Sequence, residues 1–228
     1  MKRIFTLLLA LVLVFSLVAC STSNKETQDE TKAESKNETQ AEKKSEDLEV
    51  TAFAVKGDTV YATAEGAQAK FITLKAGNQT EFRQGHKYTF VLEGVKEIPD
   101  IIEVEEATME GRKQALPLDT KLVADLLEKV PEAKIVDSRP AEEAAESGIE
   151  NAINVPFAEY EKLQEDEENK EELNKWVETF ADKFTEEDVV VVLGSDPAQN
   201  QEIAVFLYKA FNVPVQFNAG LVSDYQAQ

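Results

Sequence analysis

Cys20, His86 and Ser195 are the side chains from which nucleophilic or metal chemistry would have to be built. Cys20 is the only cysteine and His86 the only histidine in 228 residues. One cysteine admits no intramolecular disulfide and no cysteine-based metal cluster. One histidine excludes a two- or three-histidine metal site. His86 stands between Gly85 and Lys87, where the sequence predicts a turn and a surface histidine. Ser195 is followed by Asp196, but this half of the chain has no histidine to activate the hydroxyl. Carboxylates are abundant: Phe157 to Asp188 holds thirteen Asp and Glu against four Lys. At that density they read as the solvated face of helices. No Asp-x-Asp-x-Asp-Gly loop for calcium and no glycine-rich phosphate loop with a lysine occurs. The expectation is therefore no metal and no cofactor.

Charge narrows the partners. Lys and Arg number 24 and Asp and Glu 44, for a formal charge of −20. Binding to nucleic acid needs clustered cations that release counterions from phosphate, so a nucleic-acid partner is excluded. Hydrophobic residues make up 43%, enough to bury a core.

The N-terminus reads as an address. Met1-Lys2-Arg3 is a basic head, and Ile4 to Ala19 is apolar apart from Thr6 and Ser16. Such a run is short for a spanning helix, which needs about 20 residues, and suits a secretory signal. Leu17-Val18-Ala19-Cys20 resembles a bacterial lipobox. That resemblance implies cleavage after residue 19 and a diacylated (palmitate-type) Cys20, with the protein held at the outer face of the cytoplasmic membrane, or in the outer membrane of a Gram-negative cell. Two or more acyl chains anchor stably where one does not. Residues 20–48 are then the lipidated cysteine and a polar tether. The tether has almost no large apolar residue, so it cannot bury enough surface to offset chain entropy.

Two folded units are expected beyond it. Residues 49–115 have β texture, with strands near Glu49–Val55, Thr59–Ala64, Lys70–Leu74, Lys87–Glu93 and Asp100–Ala107, and a hairpin turn at Gly57-Asp58. Five short strands suit a small OB-like barrel, or a small sandwich. In the second strand Val60, Ala62 and Ala64 share one face, and Tyr61 and Thr63 the other. Which face is core stays open. Residues 116–228 alternate strands and helices. A helix capped by Asp119 or Thr120 carries Leu122, Val123, Leu126, Leu127 and Val130 at helical spacing. Strands follow at Lys134–Asp137, Ala152–Val155, Val189–Leu193 and Val213–Phe217. Helices fill Ala141–Glu146, the acidic stretch Phe157–Phe184, and the segment around Ile203, Phe206, Leu207, Ala210 and Phe211. This order predicts a parallel sheet covered on both sides.

Ile135-Val136-Asp137-Ser138-Arg139-Pro140-Ala141-Glu142-Glu143, followed by Gly148-Ile149-Glu150-Asn151-Ala152-Ile153-Asn154-Val155-Pro156, resembles the rhodanese-like domain. The family shows a strand ending in Asp-x-Arg, a short acidic helix, and a Gly-His-Ile-x-Gly-Ala-x-Asn-x-Pro stretch. Ile149, Ala152, Asn154 and Pro156 match in register. Ser147-Gly148 replaces Gly-His, and Asn151 replaces a glycine. The resemblance implies an α/β domain with a catalytic cysteine in the loop after the central strand, which carries sulfane sulfur as a persulfide. The matching position here is Leu193 or Gly194, and neither is a nucleophile. The relatives of this fold that act as phosphatases and arsenate reductases also use a cysteine there. The loop Leu193, Gly194, Ser195, Asp196 to Gln199 is thus a degenerate active site. Asp196 is expected to cap the next helix, with Pro197 at its first position and Gln199 reaching back as in a capping box.

The function expected from the sequence is that of a membrane-anchored, catalytically silent rhodanese-like binding or scaffold module. Its partner is an envelope protein or a small ligand. The alternative is an envelope enzyme, or a sulfur-handling protein of sulfurtransferase type, using an unrecognised site or a partner's thiol.

Overall fold

The computed structural model describes residues 47–77, 81–111, 115–146, 148–164 and 167–227. The expected signal peptide, Cys20 and nearly all of the expected tether lie outside the described residues.

The first half is one mixed sheet. Its strands are β1 (Leu48–Lys56), β2 (Thr59–Ala64), β3 (Ala67–Ala76), β4 (His86–Leu92), β5 (Ile101–Val104) and β6 (Thr108–Gly111). The order is β5-β3-β2-β1-β4-β6. β1 to β4 and β6 pair antiparallel, while β5 lies parallel to β3. The expected strand Asp100–Ala107 is thus the shorter β5, and a further strand, β6, follows it on the opposite edge. β5 and β6 are the two edges, and no ladder joins them among the described residues. The β1–β2 turn falls at Gly57-Asp58, with Gly57 at φ +56°. His86 opens β4 half-buried, its Nδ1 3.2 Å from the Gln84 carbonyl.

Period-two alternation puts apolar side chains on both faces of this sheet. Val50, Ala52, Ala54, Val60, Ala62, Ile72 and Leu74 pack with Phe82, Tyr88, Phe90 and Ile98 on one side. Val55, Tyr61 and Phe71 pack on the other, against Leu116, Leu126, Val191 and Phe217 of the second half. Both faces of β2 are core. Composition changes near residue 115, yet this apolar layer runs across the change.

The second half is a five-stranded parallel sheet in the order β7-β11-β10-β8-β9. The strands are β7 (Leu116–Pro117), β8 (Lys134–Asp137), β9 (Ile153–Asn154), β10 (Val189–Gly194) and β11 (Val215–Leu221). β10 is central, and all six of its residues are buried. Helices are α1 (Val123–Lys129), α2 (Ala141–Glu146), α3 (Phe157–Gln164), α4 (Lys170–Glu178), α5 (Pro197–Phe211) and α6 (Val222–Gln226). Asp119 accepts from the Lys121 amide at 3.0 Å and starts the 3₁₀ turn that leads into α1. The acidic stretch Phe157–Phe184 is broken into α3, a 3₁₀ turn and α4. Trp176 packs with Tyr160, Phe180 and Phe206 on the side opposite α1. Asn151 takes φ +61°, a left-handed geometry that asparagine tolerates. Among the described residues no helix is long and apolar enough to cross a membrane.

Candidate functional site

In an open parallel sheet, ligands are met at the carboxyl ends of the strands. Here that edge gathers Asp137 and Ser138 from β8, Asn154 from β9, Gly194 from β10, Asn218 and Gly220 from β11, and the start of α5. It carries two buried polar clusters.

The first is charged and local. Arg139 Nε lies 3.0 Å from Asp137 Oδ1, and its Nη2 lies 2.7 Å from Asp137 Oδ2. The Arg139 amide also donates to Asp137 Oδ1 at 3.0 Å. Asp137 is 1% exposed and Arg139 8%. The Asp137 hydrogen bonds hold the guanidinium above its ordinary pKa, against the opposing pull of burial. Asn154 Nδ2 donates to the backbone carbonyls of Asp137 and Arg139 at 2.9 and 2.8 Å. The Asp-x-Arg and Asn positions quoted from the sequence are thus one structural unit that ties β8 to β9.

The second is neutral and assembled from distant segments. Ser138 Oγ donates to Asn200 Oδ1 at 2.7 Å. Asn200 Nδ2 donates to Asn218 Oδ1 at 3.2 Å and to the Gly220 carbonyl at 2.8 Å. Asn218 Nδ2 donates to the Pro197 carbonyl at 2.7 Å. Asn200 is fully buried. Sequence reasoning missed Ser138, Asn200 and Asn218. One signal was available: Asn200 stands at the inward register of α5, with Ile203, Ala204 and Leu207, where a polar residue must find buried partners.

The candidate loop residues separate in space. Leu193 is fully buried in the apolar layer shared with α1, and its carbonyl accepts from the Ser138 amide at 2.8 Å. At Gly194 a Cβ would lie 2.0 Å from Ser138 Oγ and 2.3 Å from Asn200 Oδ1. Ser195 and Asp196 are exposed. Asp196 Oδ1 accepts from the Ala198 amide at 2.8 Å, with Pro197 at the first helical position, so Asp196 is the cap. The capping box with Gln199 is not seen: the Asp196 carboxylate accepts from the amide two residues on, and no bond runs from the Asp196 amide to the half-buried Gln199 side chain. The carboxylate also brings negative charge to the end of α5 that would otherwise attract an anion. The exposed Ser195 hydroxyl has no imidazole near it, because His86 lies in the other sheet. Among the described residues no group of three or more His, Cys, Asp or Glu is placed to hold a metal ion.

Residues 119–227 match the rhodanese-like domain family. This half of the chain is a rhodanese-like domain. Among solved structures it is similar to a single-domain sulfurtransferase of Saccharomyces cerevisiae, RDL2, at 16% identity and a TM-score of 0.36, over 50% of this chain and 91% of that one. No curated protein matches the chain. In the rhodanese-like domain the Asp-x-Arg unit is intact, while the loop after β10 is closed by its own side chains.

Proposed function

We propose that the chain is a catalytically silent rhodanese-like binding module, a pseudoenzyme held at the outer face of a bacterial membrane by lipid on Cys20. The observation that carries the silent reading is the filled volume at Gly194. A side chain there meets Ser138 Oγ and Asn200 Oδ1 well inside van der Waals contact. Leu193, the other matching position, points into the core, where a thiol could not meet solvent. The loss therefore goes deeper than one missing sulfur. The anchor rests on the lipobox order around Cys20, and the acidic chain stands off anionic lipid.

Thiosulfate–cyanide sulfur transfer tests the silent reading. The native chain and Gly194→Cys are both expected to show no turnover above buffer. Turnover by the native chain would overturn the reading outright. Turnover by Gly194→Cys would show that the loop can still cradle an anion. Cys20→Ser is expected to abolish lipid labelling in cells, and normal labelling would remove the anchor. The second reading, a sulfur-handling protein that uses a partner's thiol, is favoured by the family match itself. A persulfide-loaded partner losing sulfur in the presence of this chain would establish it.

A further inference from the structure

β11 is gripped by the first sheet at its start and middle, and it grips the degenerate loop with its end. At the start, Gly85 takes φ +75°, and a Cβ there would stand 2.6 Å from the carbonyl of Pro214, the residue before β11. Gln84 Nε2 donates to the Glu187 carbonyl at 3.2 Å, and Lys56 pairs with Glu132, so the same contact continues at the amino ends of β10 and β8. In the middle, Phe217 is fully buried. The Tyr61 ring meets it edge-on at 5.5 Å and the Phe71 ring at 5.9 Å, and the two rings lie 5.2 Å from each other. At the end, Asn218 accepts from Asn200 and from the Gly220 amide, and donates to the Pro197 carbonyl. Phe217, which takes the aromatic grip, and Asn218, whose bond fixes the first turn of α5, are adjacent residues. The first sheet meets the amino ends and one face of the parallel sheet, and these contacts leave the carboxyl edge to the loop.

We propose that Tyr61, Phe71 and Gly85 are positioning residues for residues 194–200. The first sheet is the buttress that sets where the carboxyl edge of the rhodanese-like domain stands, through β11. The functional meaning of this rests on that edge being the binding face; the mechanical coupling does not. Packed rings transmit position because interiors are close-packed and give little. Three aromatic side chains in edge contact add to what their burial alone supplies.

Hydrogen exchange on the full chain in detergent reads the coupling without any ligand. The segment 194–201 is compared with 170–178 in α4, which packs on the far side of the parallel sheet. Tyr61→Leu and Phe71→Leu are expected to speed exchange in 194–201 about three- to tenfold more than in 170–178, the scale of couplings carried through packed networks. Phe217→Leu should do the same from the other side of the contact. Ile98→Val, in the opposite apolar face of the first sheet, should not. Equal acceleration of both segments, no acceleration of 194–201, or the same response to Ile98→Val would each overturn the proposal. Because exchange needs no bound partner, failure here is distinct from failure of the binding reading, which sulfur transfer tests.

Discussion

Asp137 and Arg139 form one polar cluster at the carboxyl edge of the parallel sheet; Ser138, the residue between them, belongs to another. Successive residues of an extended chain point to opposite sides, so three neighbours serve two clusters. The Asp137–Arg139 cluster is charged and closes within three residues, with Asn154 stitching it to the next strand. The Ser138–Asn200–Asn218 cluster is neutral and draws on β8, α5 and β11. The first ties β8 to β9. The second fills the volume into which a side chain at Gly194 would project.

The largest effect expected is on the charged cluster. Arg139→Ala leaves the Asp137 carboxylate buried and without its main partner, which costs about 3–5 kcal/mol. Urea unfolding measures it. Replacing both, as Asp137→Leu with Arg139→Met, should cost less than the single change, since no charge is then stranded. A loss from Arg139→Ala near zero would remove the distinction between the clusters.

The neutral cluster should respond less. Asn200→Ala strands the Gly220 carbonyl and the Ser138 hydroxyl and leaves a small cavity, for about 2 kcal/mol. Its loss should be partly shared with Ser138→Ala, because the two lie in one network. Strict additivity in a double-mutant cycle would show that the network does not act as a unit.

Smaller still is the cap. Asp196→Ala removes the acceptor for the Ala198 amide at an exposed site and should cost about 1 kcal/mol. It should leave both buried clusters in place, which crystal or NMR analysis of the variant would check.

The last prediction concerns pH and the aromatic contacts. Burial pushes the Tyr61 and Tyr160 hydroxyls above their ordinary value of 10.0, and the Asp119 charge adds to this at Tyr61. A raised native pKa means that the folded chain holds the phenol proton more tightly than the unfolded one. That stability is fully present below pH 10 and is lost as pH rises through the native values. The urea midpoint should therefore fall above pH 10, and Tyr61→Phe should make the fall shallower. An unchanged alkaline slope in Tyr61→Phe would place the effect elsewhere.

Much of the second half was legible because its signals are local. Val189 to Leu193 is a continuous apolar run, and it is the buried central strand. Ala141–Glu146 forms where the sequence places it, after Pro140 and before Gly148. Asp196 and Pro197 announce the start of α5 within two residues. The acidic stretch was read as one helical span because its charge pattern hides the break between α3 and α4. β7 and β6 were missed because two to four residues carry no period. The expected Asp100–Ala107 strand is shorter, ending at Val104, because strand propensity does not say where pairing with a neighbour stops.

From the residues alone came the order of elements and the Asp-x-Arg and Ile-x-x-Ala-x-Asn-x-Pro motifs. These are counts, neighbours and short periods, which need no knowledge of what lies across space. The tertiary structure decided what covers each surface. Alternation in β2 left open which face is core, and did not say that Tyr61 would meet Phe217, more than 150 residues away in sequence. It likewise took three separate segments to bring Ser138, Asn200 and Asn218 together. A hydrogen bond between such residues depends on chain closure and close packing, and neither leaves a mark in the local sequence.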